Sequence, residues 1–245
     1  MKKSLFTLFM LIIGLAAFTS GAETRVINIK QSFSSLDTSA GVKVIYQPAS
    51  GNQPTVKITG EADQISKIDV RISGNTLKIS PKPNPLGSRK GNLIKGVVVT
   101  VTAPMVNEIE ASSGSSVKCN TTVSAGGKKI ELEASSGASI SLAGISCRKL
   151  EAEASSGASI EVKSVIADKI SMDVSSGASI SAPKVSAKDT DCEASSGGSI
   201  RIGGTSAKGS FSASSGGDIK GSTLSVKESR VDKSIGGSIK LNSQK

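Results

Sequence analysis

From about residue 107 to the end, apolar and polar residues alternate in short runs, and the runs repeat. The string Ser-Ser-Gly recurs with its glycine at Gly114, Gly137, Gly157, Gly177, Gly197 and Gly216, and Ser234-Ile235-Gly236 ends the series. After a longer first interval the spacing is 20 residues, once 19. Alternation with a period of two predicts strands, and the Gly, Ser and Thr between them predict turns. Twenty residues is too short for a helical pair and fits one coil of a solenoid.

Aligning the coils on their glycines sharpens the prediction. Three residues after glycine stand Val117, Ile140, Ile160, Ile180, Ile200, Ile219 and Ile239; five after it stand Cys119, Leu142, Val162, Ala182, Ile202, Gly221 and Leu241. Five before it come Ile109, Leu132, Ala152, Met172, Cys192, Phe211 and Val231, and three before it mostly alanine, until Lys233. On a third side Ile145, Val165, Val185, Thr205 and Leu224 align, followed two positions on by Cys147, Ala167, Ala187, Ala207 and Val226. Three inward groups per coil, rich in β-branched residues, describe a three-sided stack. The expected fold is all-β: a right-handed, single-stranded parallel β-helix, a β-solenoid of about 20 residues per coil.

The N-terminal third follows the plan less regularly. The run Leu36-Asp37-Thr38-Ser39-Ala40-Gly41-Val42-Lys43-Val44 superposes on Ile109 to Val117, and Gly74 is followed by Leu77 and Ile79 at the three- and five-residue offsets. Residues 26–106 therefore read as two longer coils continuous with the regular coils of residues 107–245, with a loop inserted at residues 81–96. Residues 97–101 resume as a buried strand. A separate N-terminal domain is the alternative.

Residues 1–22 have the pattern of an export signal: Lys2 and Lys3, an apolar run over residues 5–18, then Ser20-Gly21-Ala22 at the expected cleavage site. That run is short for a membrane anchor, and no second run of spanning length follows. The expected mature chain, residues 23–245, is exported to the periplasm, cell surface or medium with no membrane span.

Composition narrows the chemistry. The formal charge is +10, which permits anionic partners, but a solvated lysine-rich surface is the simpler account. Phe33, Phe211 and Tyr46 are the aromatics that remain beyond the signal, too few to stack on bases or sugars, so nucleic acid is not an expected partner. With no histidine, Ser-His, Cys-His and His-metal constellations are excluded. Cys119, Cys147 and Cys192 fall at three phases of the coil and read as small buried hydrophobes, not as a disulfide or metal set.

Two outward columns are acidic: Glu110, Glu133, Glu153, Asp173, Glu193 and Asp232, and beside them Glu108, Glu131, Glu151 and Asp191. Stacked about 4.8 Å apart, like charges repel by about 1 kcal/mol per pair in water. Calcium could offset this; salt bridges to Lys129, Lys149 and Lys169 are the favoured explanation. A pair such as Glu131 and Glu133 could serve a glycosidase, yet catalysis requires one place where coil symmetry breaks. The serine columns read as turn-stabilising hydroxyls. No catalytic, cofactor-binding or metal-binding residue is assigned, and no cofactor is implied.

Several ordered motifs are familiar. Residues 25–33, Leu36, Gly41-Val42-Lys43-Val44, GNTLKIS from Gly74, VVVTVTAP from Val97 and the Glu-Ala-Ser-Ser-Gly coils resemble a family of auto-transporter adhesins named for its head GIN domain. The resemblance spans essentially the whole mature chain. It implies a β-helical fold, a secreted, periplasmic or surface location in Bacteroides-like bacteria, and no catalytic residues. The expected function is that of a non-catalytic adhesin or cell-envelope structural protein, with a glycan or surface ligand as partner and homo-oligomers open. The alternative is a glycan-binding or polysaccharide-degrading β-helix.

Overall fold

The computed structural model describes residues 22–51, 53–83 and 94–242. Most of the expected export signal and the centre of the expected loop, residues 84–93, lie outside them. The chain runs β1 (Ala22–Asn28), β2 (Ser35–Thr38), β3 (Lys43–Pro48), β4 (Thr55–Glu61), the five-residue α1 (Ala62–Ser66), β5 (Ile68–Ser73), β6 (Thr76–Pro81), β7 (Val98–Ala103), β8 (Glu108–Ala111) and β9 (Ser116–Ser124). It continues through β10 (Lys129–Ala134), β11 (Ser139–Ala154), β12 (Ser159–Val162), β13 (Val165–Val174), β14 (Ser179–Ala194), β15 (Ser199–Ala213), β16 (Asp218–Lys233) and β17 (Ser238–Leu241).

From β8 onward the strands stack in parallel, about 20 residues apart, as a β-solenoid. Long strands such as β11 pass two bends and serve all three faces. The first face stacks residues 108–111, 131–134, 151–154 and their successors; the second stacks 116–119, 139–142, 159–162 and theirs; the third stacks 145–147, 165–167 and 185–187. The predicted inward columns fill the interior: Ile140, Ile160, Ile180, Ile200 and Ile219 are no more than 2% exposed. A further inward column, Ile130, Leu150 and Ile170, completes the first face. Each fully buried Ile or Leu contributes about 1.5–3 kcal/mol.

The Ser-Ser-Gly corners are tight turns. Ser113, Ser136, Ser156, Ser176, Ser196 and Ser215 have φ of 48–53°, and the glycine after each has φ of 71–79°. Two successive positive φ values define a type I′ turn, closed by bonds such as Ser115 N–H to Ser112 O at 3.1 Å. Each corner also hydrogen-bonds to the next, as Gly137 N–H does to Ser156 O at 3.0 Å. Backbone groups therefore hold these corners. Among the described residues only the Ser115 hydroxyl takes a turn-bracing role, accepting from Ser112 N–H and donating to Thr38 O.

The single 19-residue coil changes the third face. The predicted inward residues Thr205 and Ala207 give way to Gly204 and Ser206, which pair with Val185 and Ala187. The register slips between Ala182 and Val185, where the coil is one residue short. Gly204 has φ of 108°, and a Cβ there would stand 2.1 Å from Val185 O, so a tight approach replaces a side chain. Ser206 is buried but satisfied, accepting from Thr190 Oγ1 at 3.0 Å and donating to Lys208 O at 2.7 Å.

The N-terminal third departs from two coils stacked in chain order. Leu36 aligns with Ile109 and Val44 with Val117, as expected. The rung formed by β6 and β7, however, lies on the far side of β2 and β3, so β2 sits between β6 and β8. Leu77 pairs with Leu36, not with the Val117 column. Gly74 is a hairpin residue joining β5 antiparallel to β6, not an equivalent of Gly114. Strand β4 runs antiparallel to β7, and β1 antiparallel to β4. The solenoid is thus covered at this end by strands of opposite direction. Tyr46 ties the cap to the coils: its hydroxyl accepts from Val106 N–H and donates to Pro104 O, both at 3.0 Å. Burial pushes that hydroxyl's pKa up to about 12.

Candidate functional site

The first face carries three outward columns, because every second residue of each rung points to solvent. The column nearest the Ser-Ser-Gly corner is Asp37, Glu110, Glu133, Glu153, Asp173 and Glu193, in unbroken register. Lys78 stands over one end and pairs with Asp37 at 2.9 Å; Ser212 follows Glu193 at the other. The next column holds Glu108, Glu131 and Glu151, then Ser171 and Asp191. The third begins with Lys129, Lys149 and Lys169.

The lysines reach only the nearer acids. Lys129 pairs with Glu131 and Glu151, and Lys149 with Glu151. These hydrogen bonds hold the Glu151 carboxyl down at about 2. Of the salt bridges expected from the sequence, those of Lys129 and Lys149 form and neutralise Glu131 and Glu151 of the middle column, while Lys169 has no carboxylate partner among the described residues. Glu110, Glu133, Glu153, Asp173 and Glu193 have no ion-pair partner among the described residues.

Asp37, Glu110, Glu133, Glu153 and Asp173, with the corner residues Ser112, Ser135, Ser155 and Ser175, line a groove of about 350 Å³ along the stack. Burial, then the hydrogen bond with Glu108 and the charges of Asp37, Glu108 and Glu133, push Glu110 up to about 7. Burial and the charge of Glu153 raise Glu133 as well. Ser35 donates to Glu108 at 2.6 Å, so Glu108 is held by a donor on one side and shares its other contact with Glu110. Chemically the groove is a row of carboxylate acceptors, of which Glu110 holds its proton near neutrality. Among the described residues no three carboxylates converge into a metal cage.

A second, shallower depression of about 430 Å³ lies on the third face, lined by Cys147, Arg148, Ile166, Asp168 and Lys188 among others. Asp168 and Lys188 pair at 2.7 Å, and burial pushes the half-buried Cys147 thiol up to about 11. It is a poor nucleophile. Cys119 and Cys192 are buried and free, and the three thiols sit on different faces. The acidic columns were legible from residue spacing. Which of them the lysines reach was not, since it depends on side-chain reach across rungs.

A stack of parallel coils with one polar face repeated from rung to rung defines a β-solenoid. Residues 32–202, and again 157–245, match the family described as "Putative auto-transporter adhesin, head GIN domain", and the chain belongs to that family. The overlapping matches reflect a repeat that fits the same pattern in more than one register. Among solved structures, a "putative adhesin" from Parabacteroides distasonis is similar at a TM-score of 0.72 and 16% identity, covering 89% of this chain and 95% of that one. One from Parabacteroides merdae gives 0.66 and 17%, covering 88% and 97%. A "putative lipid binding protein" from Parabacteroides distasonis gives 0.63 and 16%, with the same shares. At these identities the likeness establishes the fold. No curated protein matches the chain. No helix among the described residues is long and apolar enough to cross a membrane.

Proposed function

We propose that this chain is an exported, non-catalytic solenoid of one domain, residues 23–245, which acts in adhesion or as a structural part of the cell envelope. The supporting observation is the groove of the first face. It repeats one carboxylate and one serine per rung across several rungs, which suits an extended, repetitive ligand or surface better than a single small substrate. Glycans and matrix polymers are repetitive in the same sense and are the partners this reading favours.

The test is a glycan and extracellular-matrix array probed with the purified protein, in calcium and in chelator. Saturable binding that Glu133→Gln and Glu153→Gln together abolish supports the reading and places the contact on the first face. Loss of binding in chelator would show that a divalent cation bridges the acids to the ligand. Silence in both conditions, from folded protein, overturns direct glycan or matrix adhesion.

One observation favours a second reading, polysaccharide cleavage. Adjacent carboxyls, one of them with a raised proton affinity, are the ingredients of a glycosidase, and Glu110, raised by burial and by its hydrogen bond with Glu108, stands beside a second carboxyl. Release of reducing sugar from an array hit, lost in Glu110→Gln, would favour it; an intact glycan after prolonged incubation would remove it.

A further inference from the structure

The two ends of the solenoid are finished differently. At the N-terminal end the outermost parallel strands β6 and β7 are covered by β5 and β4, which run antiparallel to them. At the other end the last rung of the first face, residues 228–233 of β16, pairs only with β15. The inward column that buries Met172, Cys192 and Phe211 ends there in Val231, which is 44% exposed. Beside it Leu224, Val226 and Leu241 help line an open cavity of about 210 Å³. The core is unfinished at this end.

The backbone of the last rung is set to continue the sheet. Ser234 N–H points back to Ala213 O at 3.0 Å. The two-residue alternation of a strand therefore turns the N–H and C=O groups of Ser229, Val231 and Lys233 to the free edge. These are also the inward-facing residues, so any strand added here must bring its own inward residues opposite them. A second copy of the same strand, antiparallel and with Val231 opposite Val231, meets that condition. In this register Arg230 of each copy faces Asp232 of the other, and Glu228 faces Ser234. Sliding by two residues sets Arg230 against Arg230 one way and Asp232 against Asp232 the other. Charge and face together thus favour the Val231-centred pairing over its neighbours.

We propose that the C-terminal end of the solenoid docks a second copy of this chain, joined end to end across a two-fold axis by β16 pairing with β16. Such an interface is self-complementary and closes at two subunits. The charges Lys227, Glu228, Arg230, Asp232 and Lys233 discourage unmatched strands, as edge charges do, while Arg230 and Asp232 match their own copies. The final corner fits this role. Ile235 replaces the serine of earlier corners and is 91% exposed; only Gly236 keeps a positive φ there. This places an apolar side chain beside the joining strand.

Sedimentation velocity of the purified protein over a range of concentrations and salt tests the proposal. Dimer is expected at high concentration and low salt, weakening as salt screens the pairs. Arg230→Asp and Asp232→Arg, each setting like charges face to face, should weaken the dimer roughly tenfold or more. The double variant R230D/D232R should restore it. Both residues are exposed, so circular dichroism and melting should match wild type in all three. A monomer throughout, or a dimer that R230D leaves as strong, overturns the proposal.

Discussion

Replacing Glu110 by glutamine should raise stability at pH 8 and leave it nearly unchanged at pH 5. Burial beside the neighbouring rungs, then Glu108, Asp37 and Glu133, hold the folded pKa at about 7 against 4.5 for the free group. Between those values the folded state binds a proton that the unfolded chain has released. Stability is therefore fully present below about pH 4.5 and is lost as pH rises through 7. The interval alone corresponds to about 3 kcal/mol. Glu110 is only half-buried, and solvent screening leaves roughly 1 kcal/mol of it. For a domain of this size that is about 2–4 °C in Tm. Glu133 is raised and acts in the same direction. Glu151 acts oppositely: Lys129 and Lys149 hold it at about 2, so its contribution is present above about pH 4.5 and disappears as pH falls toward 2. Together these place maximal stability in mildly acid solution, about pH 4.5–5.5. Melting followed by circular dichroism from pH 2 to 9, at constant ionic strength, measures both profiles. A wild-type Tm that stays level from pH 5 to 8, or an E110Q profile running parallel to wild type, would refute the account of a desolvated acidic row.

Three further outcomes are expected. Ile160→Ala, in a column 1% exposed between Ile140 and Ile180, should lower stability by about 2–5 kcal/mol in urea titration; a loss below about 1 kcal/mol would mean the core there is not close-packed. Ser156 has φ of 52°, so Ser156→Val should cost about 1–2 kcal/mol whereas Ser156→Asn should be neutral or stabilising, and equal effects would sink the turn assignment. Thr38 is fully buried and its hydroxyl has no partner among the described residues; Thr38→Val should stabilise by roughly 1 kcal/mol, and a clear destabilisation in the same titration would show that the hydroxyl is satisfied.

The coil, its three inward groups and the acidic columns were all legible in the chain, because each depends on alternation within a strand and on glycine at the corners. Ile140, Ile160 and Ile180 share one phase of the repeat and could only share one face. The stacking order of the first rungs was not legible. Leu36, Leu77 and Ile109 are equally apolar, and nothing local says that Leu36 lies between the other two; that is settled by which free strand edges meet over long chain separations. The placement of Gly204 in the short coil likewise depended on its neighbour, since a one-residue deletion can be absorbed at either corner. The character of the groove was decided last. Glu110, Glu131 and Glu151 are the same residue in similar settings, yet lysines reach two of them and leave the third desolvated beside Glu108. Sequence assigns charges to columns; only the tertiary structure sets the distances and burial that decide which charges are neutralised.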